Sequence, residues 1–412
     1  MKKERQDEKG VFLFCFCSLA LMVFAEKKTD KPDKADFKTG IERVDEFFNL
    51  FKGKRIGLIT NQTGIDSLGR SSVEILYEKT NLTNLFSPEH GIRGNAREGA
   101  GISNTVDKKT GLTVYSLYGK TKRPTKEMLQ QIDVLCFDIQ DVGARFYTYI
   151  YTMAYAMEAC ARDGKTFVVF DRPNPINGIN VEGNILEEKY KSFTGYFPIV
   201  QRHGMTVGEL ALMFNKEFKI GCNLKIVPMQ GWNREDYFED LNLMWVPPSP
   251  NIPTADTALI YSGFCIFEGV NISVGRGTTM PFKYIGAPYI DAEALAEALN
   301  ALKLEGVFFR PAYFTPSLSI YKDELCEGVQ IIVKDKKRFS PVKAAIAVMY
   351  TIKEMYPDKF KINNYPAELC GLNLLSGTNK LSSMSLSLDE YFKFIEKDEK
   401  KFLKMREKYL MY

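Results

Sequence analysis

The chain reads Leu82-Thr-Asn-Leu-Phe-Ser-Pro-Glu-His-Gly-Ile-Arg-Gly94 near its first quarter, a strand-like run that breaks abruptly into Pro, Glu, His, Gly and Arg. We expect a strand over Leu82–Phe86 and a polar loop at its end. Many α/β proteins present their reactive groups on such strand-end loops. One of the two histidines of the chain, His90, lies here beside Glu89.

The same alternation of strand, polar loop and helix recurs around this stretch. Further strands are predicted at Arg55–Ile59, Val134–Phe137, Thr166–Phe170 and Asn223–Pro228. Helices are predicted at Ser71–Lys79, Thr125–Gln131, Phe146–Arg162 and Gly208–Phe218. Continuous apolar strands separated by helices indicate a parallel sheet that is covered on both faces. The fold class is therefore α/β, with a mostly parallel sheet.

This sheet type has a consequence for function. Because all its strands point the same way, the segments that follow them emerge along one edge. Residues distant in sequence would then line one cleft, and the candidates are Asn61, Glu89, His90, Asp138, Asp141 and Asp171.

Glu89 is the first candidate for a general acid. Pro88 and Gly91 flank it, so that the backbone holds the carboxyl, and His90 and Arg93 are close by. General acid catalysis needs a positioned proton donor of this kind. The alternative is a loop glutamate that caps the following helix.

Two other acidic loops leave alternatives open. Asp138 and Asp141 flank Gln140 at a strand end, and could polarise a substrate, ligate a cation or cap the next helix. Asp171 and Asn174 lie in a loop stiffened by two prolines. They could bind sugar hydroxyls or simply hold a turn.

Later in the chain, two more segments concentrate polar residues. Arg202 and His203 precede a helix, where backbone N–H groups suit an anion, although a histidine there is often structural. A glycine-rich segment contains Glu268, Asn271 and Arg276. The planar fork of Arg276 could bind a carboxylate, or form a structural ion pair.

Composition excludes several classes of function. The 412 residues carry 55 basic and 51 acidic side chains, a net charge of +4, without a basic block that would indicate nucleic-acid binding. The chain contains no C-x-x-C, H-E-x-x-H or G-x-S-x-G pattern. We therefore expect neither a metal site nor a serine nucleophile. Six of the eight cysteines follow residue 25, and the sequence does not choose among their pairings.

The N-terminus is typical of a secretory signal. Basic residues precede the apolar run Val11–Ala25, which ends in a possible cleavage site after Ala25. We expect residues 1–25 to be removed, residues 26–38 to form a charged spacer, and the protein to be exported to the periplasm or the medium without a lipid anchor or stable membrane insertion. An uncleaved anchor is the alternative. The proline-rich stretch Val246–Pro253 predicts a boundary between domains at 39–250 and 251–412.

Several segments together resemble one family. They are Gly57–Gly64, Phe86–Gly94, Phe137–Tyr149, Asp171–Pro175, Arg202–Thr206, Pro248–Asn251 and Phe267–Thr278. On these motifs the chain resembles the YbbC-like family, whose characterised members are exo-β-N-acetylmuramidases of the NamZ type. The resemblance implies a Rossmann-like N-terminal domain, a smaller mixed α/β C-terminal domain and an active site in the cleft between them.

It also implies the release of N-acetylmuramic acid from the non-reducing ends of peptidoglycan fragments. The catalytic glutamate proposed for the family falls on Glu89. We therefore expect a cofactor-independent exo-glycosidase in which Asp138 or Asp171 supplies the second carboxylate. The alternatives are a non-catalytic binding protein for cell-wall sugars and a metal-dependent hydrolase that uses Asp138 and Asp141.

The substrate itself predicts one further group. N-acetylmuramic acid carries a lactyl carboxylate, which an arginine would bind. The candidates are Arg93, Arg202 and Arg276.

Overall fold

Seven strands form the larger of two sheets in the computed structural model of the protein. The described residues are 37–94, 104–119, 121–363 and 370–412. The strands of this sheet are β1 (Arg55–Thr60), β2 (Asn81–Ser87), β3 (Thr105–Val106), β4 (Thr113–Ser116), β5 (Val134–Asp138), β6 (Thr166–Phe170) and β7 (Asn223–Val227).

The strand order, β3-β4-β2-β1-β5-β6-β7, confirms the mostly parallel sheet. All neighbouring pairs are parallel except β3 with β4. Strand β2, which follows β1 in the chain, pairs with one side of β1, and β5 pairs with the other side. The crevice at such a reversal, outside the carboxyl ends of the strands, is where α/β sheets bind ligands.

A second, antiparallel sheet lies in the C-terminal part of the chain. Its strands are β8 (Tyr284–Ala287), β9 (Val307–Phe314) and β10 (Cys326–Val333), in the order β8-β10-β9. The predicted fold class, a parallel-sheet α/β part followed by a smaller mixed part, is confirmed. Both sheets contribute to one continuous apolar core, which contains Phe137 of β5 and Val329 of β10.

The α-helices cover the sheets and form the C-terminal end. They are α1 (Ser72–Lys79), α2 (Lys126–Gln130), α3 (Tyr149–Arg162), α4 (Val207–Glu217), α5 (Ala255–Phe264), α6 (Ala292–Ala301), α7 (Pro341–Met355), α8 (Gly371–Ser376), α9 (Lys380–Ser383) and α10 (Leu388–Arg406). Helix α4 begins with the capping box that its sequence predicts, since Thr206 Oγ1 accepts from Glu209 N and Glu209 Oε2 accepts from Thr206 N. Ser387 opens α10 in the same way.

One helix begins later than predicted. Helix α3 starts at Tyr149 rather than Phe146. The chain before it pairs with a distant segment instead, since the Arg145 N–H donates to Gln201 O at 2.8 Å. The segment Phe146–Thr148 instead lies along a cavity.

Three other expectations concern the termini and the cysteines. The predicted signal peptide lies outside the described residues, and so does all but the end of the charged spacer. In the part of the chain that the structure describes, no helix is both long and apolar enough to cross a membrane. Within the same residues the six cysteines are free thiols, and all but Cys370 are buried.

Candidate active site

Glu89 and His90 occupy the two central positions of a tight turn after β2. The Gly91 N–H donates to Pro88 O at 3.1 Å, which closes the turn. His90 has a φ of +71°, whereas the φ of Glu89 is not positive. A positive φ at the second central residue alone is the pattern of a type II turn. Glycine or asparagine usually takes the position of His90, so a histidine there stores local strain. The turn fixes the backbone of Glu89 instead of leaving it on a flexible loop.

Glu89 is half-buried in the wall of a cavity of about 200 Å³. The Thr148 hydroxyl donates to Glu89 Oε2 at 3.2 Å and orients the carboxyl group. The same wall includes His90 and the segment Phe146–Tyr149. A positioned carboxyl in a concave site is the arrangement that acid catalysis requires.

The opposite wall comes from the C-terminal part of the chain. Glu268 and Arg276 both line the cavity, and Arg276 Nε donates to Glu268 Oε1. The Arg276 guanidinium also lies 5.3 Å from the centroid of the Phe282 ring. Ion pairing and ring contact together hold this arginine at the cavity.

Three of the tyrosines that line the cavity form a packed group. Tyr147 packs edge-on against Tyr149 and Tyr261, with ring centroids 4.9 and 5.8 Å apart. The Tyr149 hydroxyl donates to Pro248 O at 2.8 Å. Burial raises the pKa of all three phenols, and the charge of Glu89 adds to this for Tyr147 and Tyr149. The tyrosines therefore stay neutral and can donate hydrogen bonds.

The structure does not support Asp138 as the second carboxylate. Asp138 is fully buried, and Arg172 binds both its oxygens, from Nε at 2.5 Å and Nη2 at 2.8 Å. The Ser72 hydroxyl also donates to it. Because Asp138 is fully buried and does not line the cavity, it is not exposed to a sugar there. The same contacts argue against a metal site on Asp138 and Asp141, because Asp138 is already bound by Arg172.

Asp171 is likewise a structural group. It is fully buried and accepts hydrogen bonds from Gly208 N at 2.7 Å, the Thr206 hydroxyl at 2.8 Å and the Tyr412 hydroxyl at 2.7 Å. Asp171 thus accepts hydrogen bonds from the first turn of α4, whose N–H groups have no partner within the helix. Burial raises its pKa to about 7, although the hydrogen-bond donors oppose the shift.

Asn61, Gln140 and Asn174 hold the strand-end loops together. Asn61 Oδ1 accepts from Thr63 N at 2.9 Å. Gln140 Nε2 donates to Pro173 O at 2.8 Å, and Asn174 Nδ2 donates to Met205 O at 3.0 Å. All three side chains are buried, and these contacts favour the turn-forming alternative over contact with sugar hydroxyls.

Asp141 and His203 form a buried pair outside the cavity. His203 Nδ1 accepts from Met205 N at 3.2 Å, so that the hydrogen of a neutral ring is on Nε2. That atom lies 3.7 Å from Asp141 Oδ2, and this oxygen accepts a hydrogen bond from Gly143 N at 2.7 Å. The structural alternative for His203 is therefore favoured over anion binding.

Two of the three candidate arginines, and Asn271, make structural contacts. Arg202 is fully buried and donates to Glu182 at 2.6 Å. Arg93 donates to Asp107 at 2.7 Å. Asn271 Nδ2 donates to Lys359 O at 2.9 Å. Arg276 is the candidate that lines the cavity.

The structure thus brings together four of the predicted residues at the cavity, namely Glu89, His90, Glu268 and Arg276. It adds neutral residues that the sequence analysis did not select, among them Tyr147, Thr148, Tyr149, Asn251 and Tyr261. Several of them belong to motifs that carried the family resemblance, which was the available signal.

Two family models match this chain in succession. Residues 56–256 match the N-terminal part of the exo-β-N-acetylmuramidase NamZ, and residues 259–412 match its C-terminal part. The chain belongs to the NamZ family. Among the relatives of this NamZ-family chain is the peptidoglycan β-N-acetylmuramidase NamZ of Bacillus subtilis, 48% identical over 393 residues and 94% of each chain.

Two solved structures have the same fold as this NamZ-family chain. Both are DUF1343 family proteins from Bacteroides fragilis. One is 41% identical with a TM-score of 0.86, and the match covers 91% of this chain and 99% of that chain. The other is 32% identical with a TM-score of 0.73, and covers 92% and 99%.

Proposed function

We propose that this protein is an exo-acting β-N-acetylmuramidase that releases N-acetylmuramic acid from the non-reducing ends of peptidoglycan fragments. The observation that carries the proposal is the position of Glu89, on a closed turn at the wall of the cavity and oriented by Thr148. Membership of the NamZ family supports the same activity.

In this proposal Glu89 is the general acid. Its carboxyl protonates the glycosidic oxygen as the bond to the anomeric carbon breaks, which removes the need to expel an alkoxide. The hydrogen bond from Thr148 to Oε2 fixes the direction of the group. Glu268 or the acetamido oxygen of the sugar would stabilise the positive charge that develops at the anomeric carbon. Water then adds to that carbon and loses a proton to a carboxylate at the site, which yields free N-acetylmuramic acid.

Arg276 is the proposed partner of the lactyl carboxylate. Its ion pair with Glu268 and its contact with Phe282 hold the guanidinium beside the cavity. A planar guanidinium matches a carboxylate through two parallel hydrogen bonds. This would distinguish N-acetylmuramic acid from N-acetylglucosamine, which has no lactyl group.

The direct test of the activity is the product from a defined substrate. The protein is incubated with β-linked N-acetylmuramyl-N-acetylglucosamine and with a longer fragment, and products are followed by mass spectrometry. We expect free N-acetylmuramic acid to appear from the non-reducing end of both. The variant Glu305→Gln changes an exposed carboxyl elsewhere and should match the wild type.

Two outcomes would contradict the proposal. Tight binding of the same fragments in calorimetry without any product would indicate a binding protein instead. Product that appears from internal bonds of the longer fragment would contradict the exo mode.

Export is part of the proposal. The basic residues and the apolar run Val11–Ala25 support a cleaved signal, and the proposed substrates lie outside the cytoplasm. The N-terminal sequence of the mature protein, purified from its host, should begin after Ala25.

A further inference from the structure

Tyr147 combines burial, a place in the cavity wall and an unused hydrogen-bonding group. Its side chain is only 9% exposed. The ring lines the cavity that contains Glu89. Among the described residues, its hydroxyl has no hydrogen-bond partner of acceptable geometry. Buried polar groups are normally paired, and an exception in a binding cavity points to a ligand.

The surroundings of Tyr147 hold its ring in one orientation. The ring is wedged edge-on between Tyr149 and Tyr261, at interplanar angles of 83° and 88°. The neighbouring Tyr149 hydroxyl already donates to Pro248 O. The phenol is therefore a rigid, preorganised group rather than a mobile side chain.

The phenol can donate a hydrogen bond to a ligand. Burial and the charges of Glu89 and Asp141 raise the pKa of Tyr147, so the proton stays on the oxygen. A neutral acceptor on the ligand suits this place better than a negatively charged one, because the phenol carries no positive charge. The lactyl carboxylate is accordingly directed to Arg276.

We propose that Tyr147 is a substrate-binding residue that donates a hydrogen bond to the acetamido carbonyl oxygen of the sugar. This inference rests on the proposed function, since Glu89 must face the glycosidic oxygen. The acetamido group is on the carbon next to the anomeric centre, so its carbonyl is a strong neutral acceptor close to that oxygen. The ring oxygen is also close, but it loses electron density in the transition state and is a poor acceptor.

Tyr151, four residues further along the chain in helix α3, provides a matched control. Its hydroxyl is also buried and has no partner among the described residues, but Tyr151 lies outside the cavity lining. Tyr147→Phe and Tyr151→Phe each remove one buried hydroxyl. A purely structural effect of removing such a group should therefore be similar in the two variants.

The experiment measures discrimination between two ligands that differ at one group. Calorimetry compares N-acetylmuramic acid with 3-O-lactylglucose, in which a hydroxyl replaces the acetamido group. We expect the wild type and Tyr151→Phe to prefer N-acetylmuramic acid by about the same factor. In Tyr147→Phe the preference should fall by about 10-fold or more, while the affinity for 3-O-lactylglucose stays near that of the wild type.

The result can overturn the inference independently of catalysis. An unchanged preference in Tyr147→Phe, or an equal loss in Tyr151→Phe, would remove the assigned role. The calorimetry measures binding and needs no hydrolysis. If the wild type binds N-acetylmuramic acid but hydrolyses no muraminide, the proposed activity is contradicted, and the role of Tyr147 in binding can still be tested.

Discussion

His90 shows how the turn after β2 differs from an ordinary connection. A non-glycine residue at a φ of +71° costs of the order of 1 kcal/mol of local strain. The strain is retained at the residue beside Glu89, in the wall of the cavity. This places the strained backbone where the proposed chemistry needs a fixed geometry.

Arg276 provides a prediction about specificity. Arg276→Gln keeps a polar side chain but removes the charge that faces the cavity. We expect KM for an N-acetylmuraminide to rise by about 10-fold or more, with a smaller change for the matching N-acetylglucosaminide, which lacks the carboxylate. Steady-state kinetics on both substrates checks this. An equal effect on the two would show that Arg276 does not recognise the lactyl group.

Asp171 provides a prediction about pH. Burial raises its pKa to about 7, whereas an unfolded aspartate titrates near 4. The folded state therefore binds the proton more tightly, and this contribution to stability is complete below about pH 4 and is lost as pH rises through 7. We expect the free energy of unfolding to fall between pH 5 and 7.

The measurement is urea unfolding at several pH values. In Asp171→Asn the side chain stays neutral, so the slope should be shallower by up to about 1.4 kcal/mol per pH unit. Glu399, whose pKa burial also raises to about 7, remains in both proteins and does not affect the comparison. Parallel slopes for the two proteins would contradict the assignment.

At the residue scale, the sequence predicted which residue types the site contains better than which side chains reach the cavity. Glu89, Glu268 and Arg276 were selected and line the cavity. Asp138 and Asp171 were selected as well, since a strand end predicts the edge of the sheet where a residue lies. The position at a strand end does not predict whether the side chain points into the protein. That depends on partners such as Arg172, which only the tertiary structure brings close.

Among the elements, strands and capped helices were predicted best. The strand Thr166–Phe170 matches its predicted bounds, and the helix predicted at Gly208–Phe218 is observed as α4 at Val207–Glu217. Helix α5 was missed because it is buried on nearly all sides, and a helix without a polar face has no 3.6-residue periodicity. Strand β9 contains a proline, which weakens a strand prediction.

Arg145 joins elements that are distant in sequence. Its guanidinium donates to the carbonyl oxygens of Asn184, Ile199, Leu375 and Ser376, at 2.8 to 3.0 Å. Burial lowers its pKa to about 10, so it remains charged at neutral pH. It fixes the chain directly before the cavity segment Phe146–Thr148.

Replacing this group should destabilise the protein strongly. Arg145→Met keeps much of the side-chain volume but leaves four buried carbonyl groups without their donor. We expect the free energy of unfolding to fall by about 3 kcal/mol or more. Denaturant unfolding checks this, with Arg338→Met as control, because Arg338 is exposed and should change stability by less than about 0.5 kcal/mol. Equal small effects would contradict the structural role.

At the scale of the whole molecule, the cavity is assembled from parts of the chain that are distant in sequence. Glu89 follows a strand of the parallel sheet, whereas Glu268 and Arg276 come from the C-terminal part. Helix α10 returns to the parallel-sheet part, where Arg406 donates to Gly178 O and Gly204 O at 2.9 and 2.6 Å. The family models meet between residues 256 and 259, and the domain boundary near residue 250 remains a prediction.

The central claim is that Glu89 supplies the proton that lets the leaving group depart. Its most direct test compares Glu89→Gln with the wild type on two muraminides. One carries N-acetylglucosamine as leaving group, which needs protonation, and the other carries nitrophenol, which departs as a stable anion. We predict that kcat/KM falls by about 1,000-fold or more for the first and far less for the second, in line with the usual contribution of a general acid. Equal losses on the two substrates, or no loss on either, would contradict the account.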